Sequence, residues 1–131
     1  MRHRVTLMIL SLLSILLFTL HWSDEISRGM EPGTLAGVGG IAILVVWLFA
    51  ALVIREQALG LVILMLASLM GTGVPILHMS GAGLVGKSVL VNSSGAFFWV
   101  WTNIALGAVS AIAFFLSAYG LWGRWRAPKP A

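Results

Sequence analysis

The stretch AFFWVWTNIALGAVSAIAFFLSAYGLW, residues 96–122, decides the fold because it is long, apolar and free of Asp, Glu, Lys and Arg. A hydrocarbon core about 30 Å thick is crossed by about 20 apolar residues in a helix, so this stretch is long enough to span a membrane. Inside lipid its backbone amides need partners, and the stretch lacks the alternating pattern of a barrel strand. We therefore predict a transmembrane helix over residues 96–122.

Three further apolar runs without charged residues precede it, at residues 5–22, 35–54 and 58–77. The chain as a whole is 60% hydrophobic and 9% charged, with a mean hydropathy of +1.02. A soluble domain carries about 25% charged residues, so this composition excludes a soluble domain. The sequence predicts an all-α, polytopic membrane protein, a single domain over residues 1–131 that forms a bundle of four transmembrane helices.

The positive residues predict how the helices are oriented. With the N-terminus in the cytoplasm, six of the eight Lys and Arg residues lie inside, and Arg28 and Lys87 lie outside. This is the positive-inside bias of membrane proteins. We expect both termini in the cytoplasm, outer loops at residues 23–34 and 78–95, an inner loop at residues 55–57, and a location in the plasma (inner) membrane of a bacterial-type cell.

The first apolar run, behind Arg2 and Arg4, also shares the basic start and apolar stretch of a secretory signal. No A-x-A-like cleavage site occurs around residues 20–23. We therefore expect this run to stay in the protein as its first helix.

Several classes of function are excluded or disfavoured by composition. The absence of cysteine excludes disulfides, thiolate metal sites and Cys nucleophiles. The positive residues are dispersed at the ends of apolar runs and form no stripe, so nucleic acid is not an expected partner. The segment Gly81–Ser88 matches the phosphate-loop pattern G-x-x-x-x-G-K-[ST]. Because no carboxylate follows it and no α/β sheet surrounds it, nucleotide is not an expected partner either.

A group of polar residues at the predicted outer ends of the first and third helices is the strongest candidate for chemistry. His21 has the i, i+3 and i, i+4 spacing to Asp24 and Glu25 that puts an imidazole and a carboxylate on one helical face. Imidazole and carboxylate ligands suit divalent metals such as copper or zinc. The predicted metal ligands are His21, His78, Asp24 and Glu25, with Glu31 nearby in the sequence.

Two other interpretations of these histidines stay open. Histidines at similar depth on helices of the same direction are also suited to be the axial ligands of a haem, or to bind the magnesium of a chlorin. Alternatively, both are interfacial side chains satisfied by water, Ser23, Ser80 or the carboxylates.

An offset of 57 residues aligns His21 with His78 and Ser11 with Ser68, as in a duplicated hairpin.

Polar side chains also occur inside the predicted spans, where they normally face protein or a water-filled cavity. We expect Asn103 to hydrogen-bond across helices to one of the others, or to line a pathway. These intramembrane polar residues are Asn103, Ser11, Ser14, Ser68 and Thr72.

Three functions follow from this pattern. The first is a non-enzymatic accessory or assembly subunit without a cofactor, whose partners are the lipid bilayer and other membrane proteins or further copies of itself. The second is a small homo-oligomeric transporter or channel, although no span carries an ionisable group away from the interface. The third is a metal- or haem-binding membrane protein that uses His21 and His78. An enzyme is less favoured, because the sequence presents no catalytic constellation.

Overall fold

The computed structural model describes residues 2–29, 33–34, 37–79 and 95–126. Throughout this part of the chain the regular structure is helical and no strand occurs, which confirms the predicted all-α class. The helices are α1 (Arg2–Ser27), α2 (Val38–Phe49) with a π-helical continuation (Ala50–Ile54), α3 (Ala58–Met79) and α4 (Ala96–Arg126).

Three of these helices are long and apolar enough to cross a membrane, and the fourth is shorter. The long segments are His3–Ser27, Ala58–His78 and Ala96–Arg126, with mean hydropathies of 2.1, 2.1 and 2.0. The α2 segment, Val38–Ile54, has 12 α-helical and 5 π-helical residues. At a rise of about 1.5 Å per residue it covers about 25 Å, less than a hydrocarbon core of about 30 Å.

The end of α1 lies beyond the predicted boundary at residue 22. The helix continues to Ser27 because two side-chain pairs with i, i+4 spacing, His21 with Glu25 and Asp24 with Arg28, occupy the extra turn. Gly29 then takes a φ of 69°, and its amide donates to the carbonyl of Ile26. A left-handed glycine of this kind is a common helix terminator.

The distribution of side chains is inverted relative to a soluble protein. Large aliphatic and aromatic residues such as Ile9, Leu66 and Phe115 are exposed, as a lipid-facing surface requires. Beside large apolar residues such as Trp47 and Leu64, the interior holds many small and polar side chains, which allow close helix packing in lipid. The buried polar residues are Ser11, Ser14, His21, Glu25, Ser68, Thr102, Asn103, Ser110 and Ser117.

Helices α3 and α4 approach most closely where one of them has glycine. A Cβ atom built at Gly107 of α4 would lie 2.5 Å from Cγ of Pro75, and one built at Gly71 of α3 would collide with the hydroxyl of Ser110. Helix α4 packs on both α3 and α1. The core includes residues from all four helices, for example Leu7, Trp47, Leu64 and Ala113.

Helices α1 and α3 run in the same direction and in register at the 57-residue offset. Ser110 of α4 donates a hydrogen bond to Ser14 of α1 at 3.0 Å, and it also meets Gly71, the residue 57 positions after Ser14. At the next common level, the rings of His21 and His78 lie 5.3 Å apart. The offset therefore describes a spatial register, whereas duplication of an ancestral hairpin stays a prediction.

Leucine side chains fill much of the interior at the end where α1 begins. Leu7, Leu61, Leu64 and Leu121 are buried there. Beyond them, in the turn that joins α2 to α3, Glu56 forms an ion pair with Arg4, N to O distance 3.0 Å, and its backbone carbonyl accepts a hydrogen bond from Arg124. The polar interior thus extends from the opposite end of α1 and narrows at this layer of leucines, where the buried hydroxyl of Ser117 donates to the carbonyl of Ala113 on its own helix.

The contact between α1 and α2 yields a test of the packing. The indole ring of Trp22 lies on α2 so closely that a Cβ at Gly40 would be 2.5 Å from its Cη2, whereas a Cβ at Gly39 meets nothing within 4 Å. We expect Gly40→Ala to lower the free energy of unfolding by about 1–2 kcal/mol. The adjacent Gly39→Ala should raise it by about 0.5–1 kcal/mol, because alanine favours the helix. Thermal unfolding in detergent measures both, and equal midpoints would contradict this packing.

Candidate functional site

The structure brings His21, Glu25 and His78 together where α1 and α3 end. Their ligand atoms, one per residue, all lie within 4.8 Å of one another. We refer to these three residues as the His–Glu cluster. His21 and Glu25 share one face of α1 because they are four residues apart, and the register of α1 with α3 brings His78 to the same level.

The cluster is largely shielded from solvent and lipid. His21 and Glu25 are 2% and 5% exposed, and His78 is partly buried. Ionisable groups inside a membrane protein are costly unless they are paired with one another or with an ion. The burial of a carboxylate here therefore requires compensation within the cluster.

The carboxylate of Glu25 is the centre of the cluster. Its Oε1 atom lies 3.4 Å from Nε2 of His21 and 3.5 Å from Nε2 of His78, and it accepts a hydrogen bond of 3.3 Å from the indole N–H of Trp99. Hydrogen bonds of this type are usually about 2.7–3.2 Å long. Two ligands bound at about 2.1 Å to one tetrahedral ion are instead separated by about 3.4 Å. The two His–Glu distances are close to this second spacing, whereas the ligand atoms of the whole cluster lie up to 4.8 Å apart, so the side chains would draw together around an ion.

Thr102 of α4 lies beside the imidazole of His21. Its hydroxyl lies 2.9 Å from the carbonyl of Phe98 and 3.1 Å from that of Trp99, and its single proton is donated to one of them. The hydroxyl oxygen also lies 3.4 Å from Nδ1 of His21, where it is placed to accept a proton carried on that nitrogen. A hydrogen bond from the nitrogen that does not bind the metal is the usual way in which a metal-binding histidine is oriented.

In the tautomer with the proton on Nδ1, the imidazole of His21 presents the lone pair of Nε2 to Oε1 of Glu25. The Nε2 atom is buried and has no hydrogen-bond partner among the described residues. Two lone pairs facing each other at 3.4 Å repel, unless a cation or an additional proton lies between them. The arrangement is thus one that a positive charge would stabilise.

A cavity of about 200 Å³ adjoins the cluster between α1 and α3. It is lined by Phe18, His21, Trp22, Glu25, Val74 and His78. A water molecule takes up about 30 Å³ of liquid volume, so the cavity has room for an ion together with small ligands.

Asp24, the fourth predicted metal ligand, does not join the other three. Its Oδ2 atom accepts a hydrogen bond of 2.7 Å from Nε of Arg28. This hydrogen bond to Asp24 raises the pKa of Arg28 above its usual range. Asp24 is therefore engaged in an ion pair beside the cluster, and Glu25 is the carboxylate that faces both histidines.

The intramembrane polar residues do not form the network expected around Asn103. Ser14 is bonded to Ser110, and the hydroxyl of Thr72 donates to the carbonyl of Ser68 on its own helix. Asn103 lies seven residues from Ser110 along α4, or about 10 Å along the axis, too far from that level for a direct bond. Buried side-chain atoms without a hydrogen-bond partner in the described part of the chain occur on Asn103, Ser11 and Ser68.

The geometry does not suit a haem between the two histidines. Bis-histidine ligation needs a flat slot for the porphyrin between the two ligating nitrogens. Oε1 of Glu25 instead lies within 3.5 Å of Nε2 of both rings. The side chains present therefore fit a single ion better than a tetrapyrrole.

Sequence reasoning missed the contribution of α4 to the site. Trp99 donates to Glu25 from a buried position on this helix. The available signal was the spacing of Trp99, Thr102 and Asn103, which places all three on one helical face. Of the other sequence features, Glu31 and the phosphate-loop-like segment Gly81–Ser88 lie outside the described residues.

The chemistry of the His–Glu cluster has to be inferred from its own geometry. Its two imidazoles, one carboxylate, low exposure and adjoining cavity define the kind of ligand that it would accept. Comparison with protein families, with curated proteins and with solved structures found no match to this chain.

Proposed function

We propose that this chain is a small integral membrane protein that binds one divalent transition-metal ion at His21, Glu25 and His78. The observation that carries the proposal is the convergence of two imidazoles and one carboxylate, with ligand atoms within 4.8 Å of one another at the end of a membrane-type helix assembly. Imidazole ligands favour Zn²⁺, Cu²⁺, Fe²⁺ and Ni²⁺ over Mg²⁺ or Ca²⁺. Zn²⁺ is the simplest probe because it imposes no redox chemistry.

The charge balance supports a cation at this site. Among the described residues, the ion-pair partners of the Glu25 carboxylate are His21 and His78, and a divalent ion held by all three would supply a full positive charge beside it. A buried charge is strongly destabilising when unpaired, and a metal ion pairs it at short range. The ion would also separate the opposed lone pairs of Nε2 of His21 and Oε1 of Glu25.

The adjoining cavity supports an ion with an open coordination position. Structural zinc sites are closed by four protein ligands, whereas sites with three protein ligands leave a fourth position for water or substrate. Here three side chains converge and a cavity of about 200 Å³ lies beside them. This arrangement favours a site that exchanges its metal or binds a further small ligand, over one that only stabilises the fold.

The proposed topology places this site at the outer surface of a bacterial-type plasma membrane. All four helices span the bilayer in this proposal, and both termini are cytoplasmic. The shorter α2 is accommodated by local thinning of the bilayer, at a modest cost. An accessory role in a larger membrane complex stays a prediction. A channel is less favoured, because Leu7, Leu61, Leu64 and Leu121 are buried across the far end of the polar interior.

Metal binding by the purified full chain tests the proposal. We expect equilibrium dialysis in detergent to give one tightly bound Zn²⁺ per chain, and Co²⁺ to give visible bands typical of low coordination. Glu25→Gln and His78→Gln should each weaken Zn²⁺ binding at least tenfold, since each removes one of three ligands. Asp24→Asn is the matched control, because it removes the same charge one residue away and should leave binding unchanged.

The outcome also separates metal binding from the alternatives. His3→Gln removes a histidine at the other end of α1 and should leave the stoichiometry unchanged. Loss of Zn²⁺ binding in both Asp24→Asn and Glu25→Gln would point to nonspecific attraction and overturn the assignment. A wild-type chain that binds neither Zn²⁺ nor Co²⁺ would do the same, as would a haem absorption band that disappears in His78→Gln.

A further inference from the structure

A second polar site lies at the opposite end of the molecule, where α1 begins and the α2–α3 turn meets the end of α4. A cavity of about 290 Å³ opens there. Its polar mouth is formed by Arg4, Arg55, Arg124 and Glu56, and its apolar floor includes Leu7 and Leu61. We call these six residues the arginine pocket.

The pocket carries more positive charge than its single carboxylate balances. The carboxylate of Glu56 is paired with Arg4 at 3.0 Å. Arg124 contacts the backbone carbonyl of Glu56, which carries no full charge. With three guanidinium groups and one carboxylate, the net charge of the pocket is +2.

Arg55 presents donors that the protein does not fully use. One of its Nη atoms donates to the carbonyl of Leu52 at 2.9 Å, whereas its buried Nε atom has no hydrogen-bond partner among the described residues. Arg55 also lines a second cavity, of about 440 Å³, which it shares with Arg4, Val5 and Glu56. Because the Nε–H is buried, an anionic ligand in either cavity would be bound through the Nη groups of this guanidinium.

The shape of the pocket is amphipathic. Leucine side chains and the glycine positions of α4, Gly120 and Gly123, lie beside the arginines, so that an apolar surface continues directly from the charged mouth. A free inorganic anion would use the guanidinium groups alone. A phospholipid would use both parts, with its phosphate at the mouth and its acyl chain on the floor.

We propose that the arginine pocket binds the headgroup of an anionic glycerophospholipid. Guanidinium groups bind phosphate oxygens through paired, charge-assisted hydrogen bonds. Basic pockets between membrane helices on the cytoplasmic side are suited to anionic lipid headgroups. The site is separated from the His–Glu cluster by the length of the helices, so this proposal does not depend on metal binding.

Native mass spectrometry of the full chain in a nonionic detergent tests this site. With equimolar phosphatidylglycerol and phosphatidylcholine, the chain should bind phosphatidylglycerol preferentially. Arg55→Gln and Arg124→Gln should each weaken that binding about fivefold, the factor expected for one lost guanidinium contact. Arg126→Gln is the matched control, since Arg126 lies at the same end but its guanidinium stacks on Trp122 at 4.7 Å. It should leave the preference unchanged.

Competition identifies the source of the phosphate and separates a pocket from general electrostatic attraction. A short-chain phosphatidylglycerol should displace the bound lipid, whereas glycerol phosphate at the same concentration should not. If glycerol phosphate, which has no acyl chain, displaces the bound lipid as well as the short-chain lipid does, the ligand is a soluble anion and the lipid assignment is overturned. Equal binding of both lipids, or an equal loss in Arg126→Gln and Arg55→Gln, would overturn the pocket. If Arg55→Gln does not fold, Arg55→Lys replaces it in the test. Lysine keeps the positive charge without the planar guanidinium, so we expect a loss of phosphatidylglycerol binding smaller than that for glutamine.

Discussion

Replacing Gly60 by alanine is expected to lower the free energy of unfolding by about 3 kcal/mol, although it adds a single methyl group. Gly60 lies in the first turn of α3, directly after the tight turn that follows Ile54. A Cβ atom at this position would lie 2.5 Å from the carbonyl carbon of Ile54 and would collide with its oxygen. Because both atoms belong to the backbone, the clash can be relieved only by opening the turn between α2 and α3.

The matched control for this change is Gly73→Ala on the same helix. A Cβ at Gly73 meets nothing within 4 Å, so alanine there should stabilise the protein by about 0.5–1 kcal/mol through its higher helix propensity. Thermal unfolding in detergent, followed by circular dichroism, compares the two variants. If Gly60→Ala unfolds at the wild-type temperature or above it, the described turn is not the one that the protein forms.

The existence of the helices was predictable, whereas their ends were less so. Long runs without charge predict helices because the backbone has to be satisfied within the segment. The end of α1 depends on finer features, namely side-chain pairs across one turn and a left-handed Gly29. Periodicity in an apolar run does not report these features, and the boundary was therefore expected at residue 22 instead of Ser27.

The site was only partly predictable, for a related reason. The 57-residue offset put His21 and His78 at similar depth, and helical spacing offered either Asp24 or Glu25 as the carboxylate. The choice between them depends on the rotation of α1 about its axis, which is set by packing against α4 at Ser14 and Ser110. That rotation turns Glu25 towards the histidines and leaves Asp24 to Arg28. The spacing of Ser14, His21 and Glu25 puts all three on one face of α1 and Asp24 to its side, so the α1 sequence favours Glu25 once that face is known to be the packed one.

The packing of α3 on α4 should control both the stability of the protein and the geometry of its proposed metal site. Gly107→Leu is expected to lower the free energy of unfolding by about 3 kcal/mol, since even the Cβ of the new side chain would be 2.5 Å from Cγ of Pro75. The proline ring cannot rotate away, so α3 has to move. His78 follows Pro75 by one turn, and its Nε2 atom would move relative to Oε1 of Glu25. Zn²⁺ affinity should fall about tenfold, the effect of a disturbed supporting residue.

Gly123→Leu on the same helix is the control, because a Cβ at Gly123 meets nothing within 4 Å. It should leave Zn²⁺ affinity unchanged and, like the other open glycine positions, raise the free energy of unfolding by up to about 1 kcal/mol through helix propensity. The smaller Gly107→Ala keeps the comparison possible if the leucine variant does not fold, and it should show both losses in reduced form. Unfolding is measured without metal and binding is measured separately, so the two effects can be told apart. Reduced stability with unchanged Zn²⁺ affinity would mean that the position of His78 is set by something other than the contact between Gly107 and Pro75.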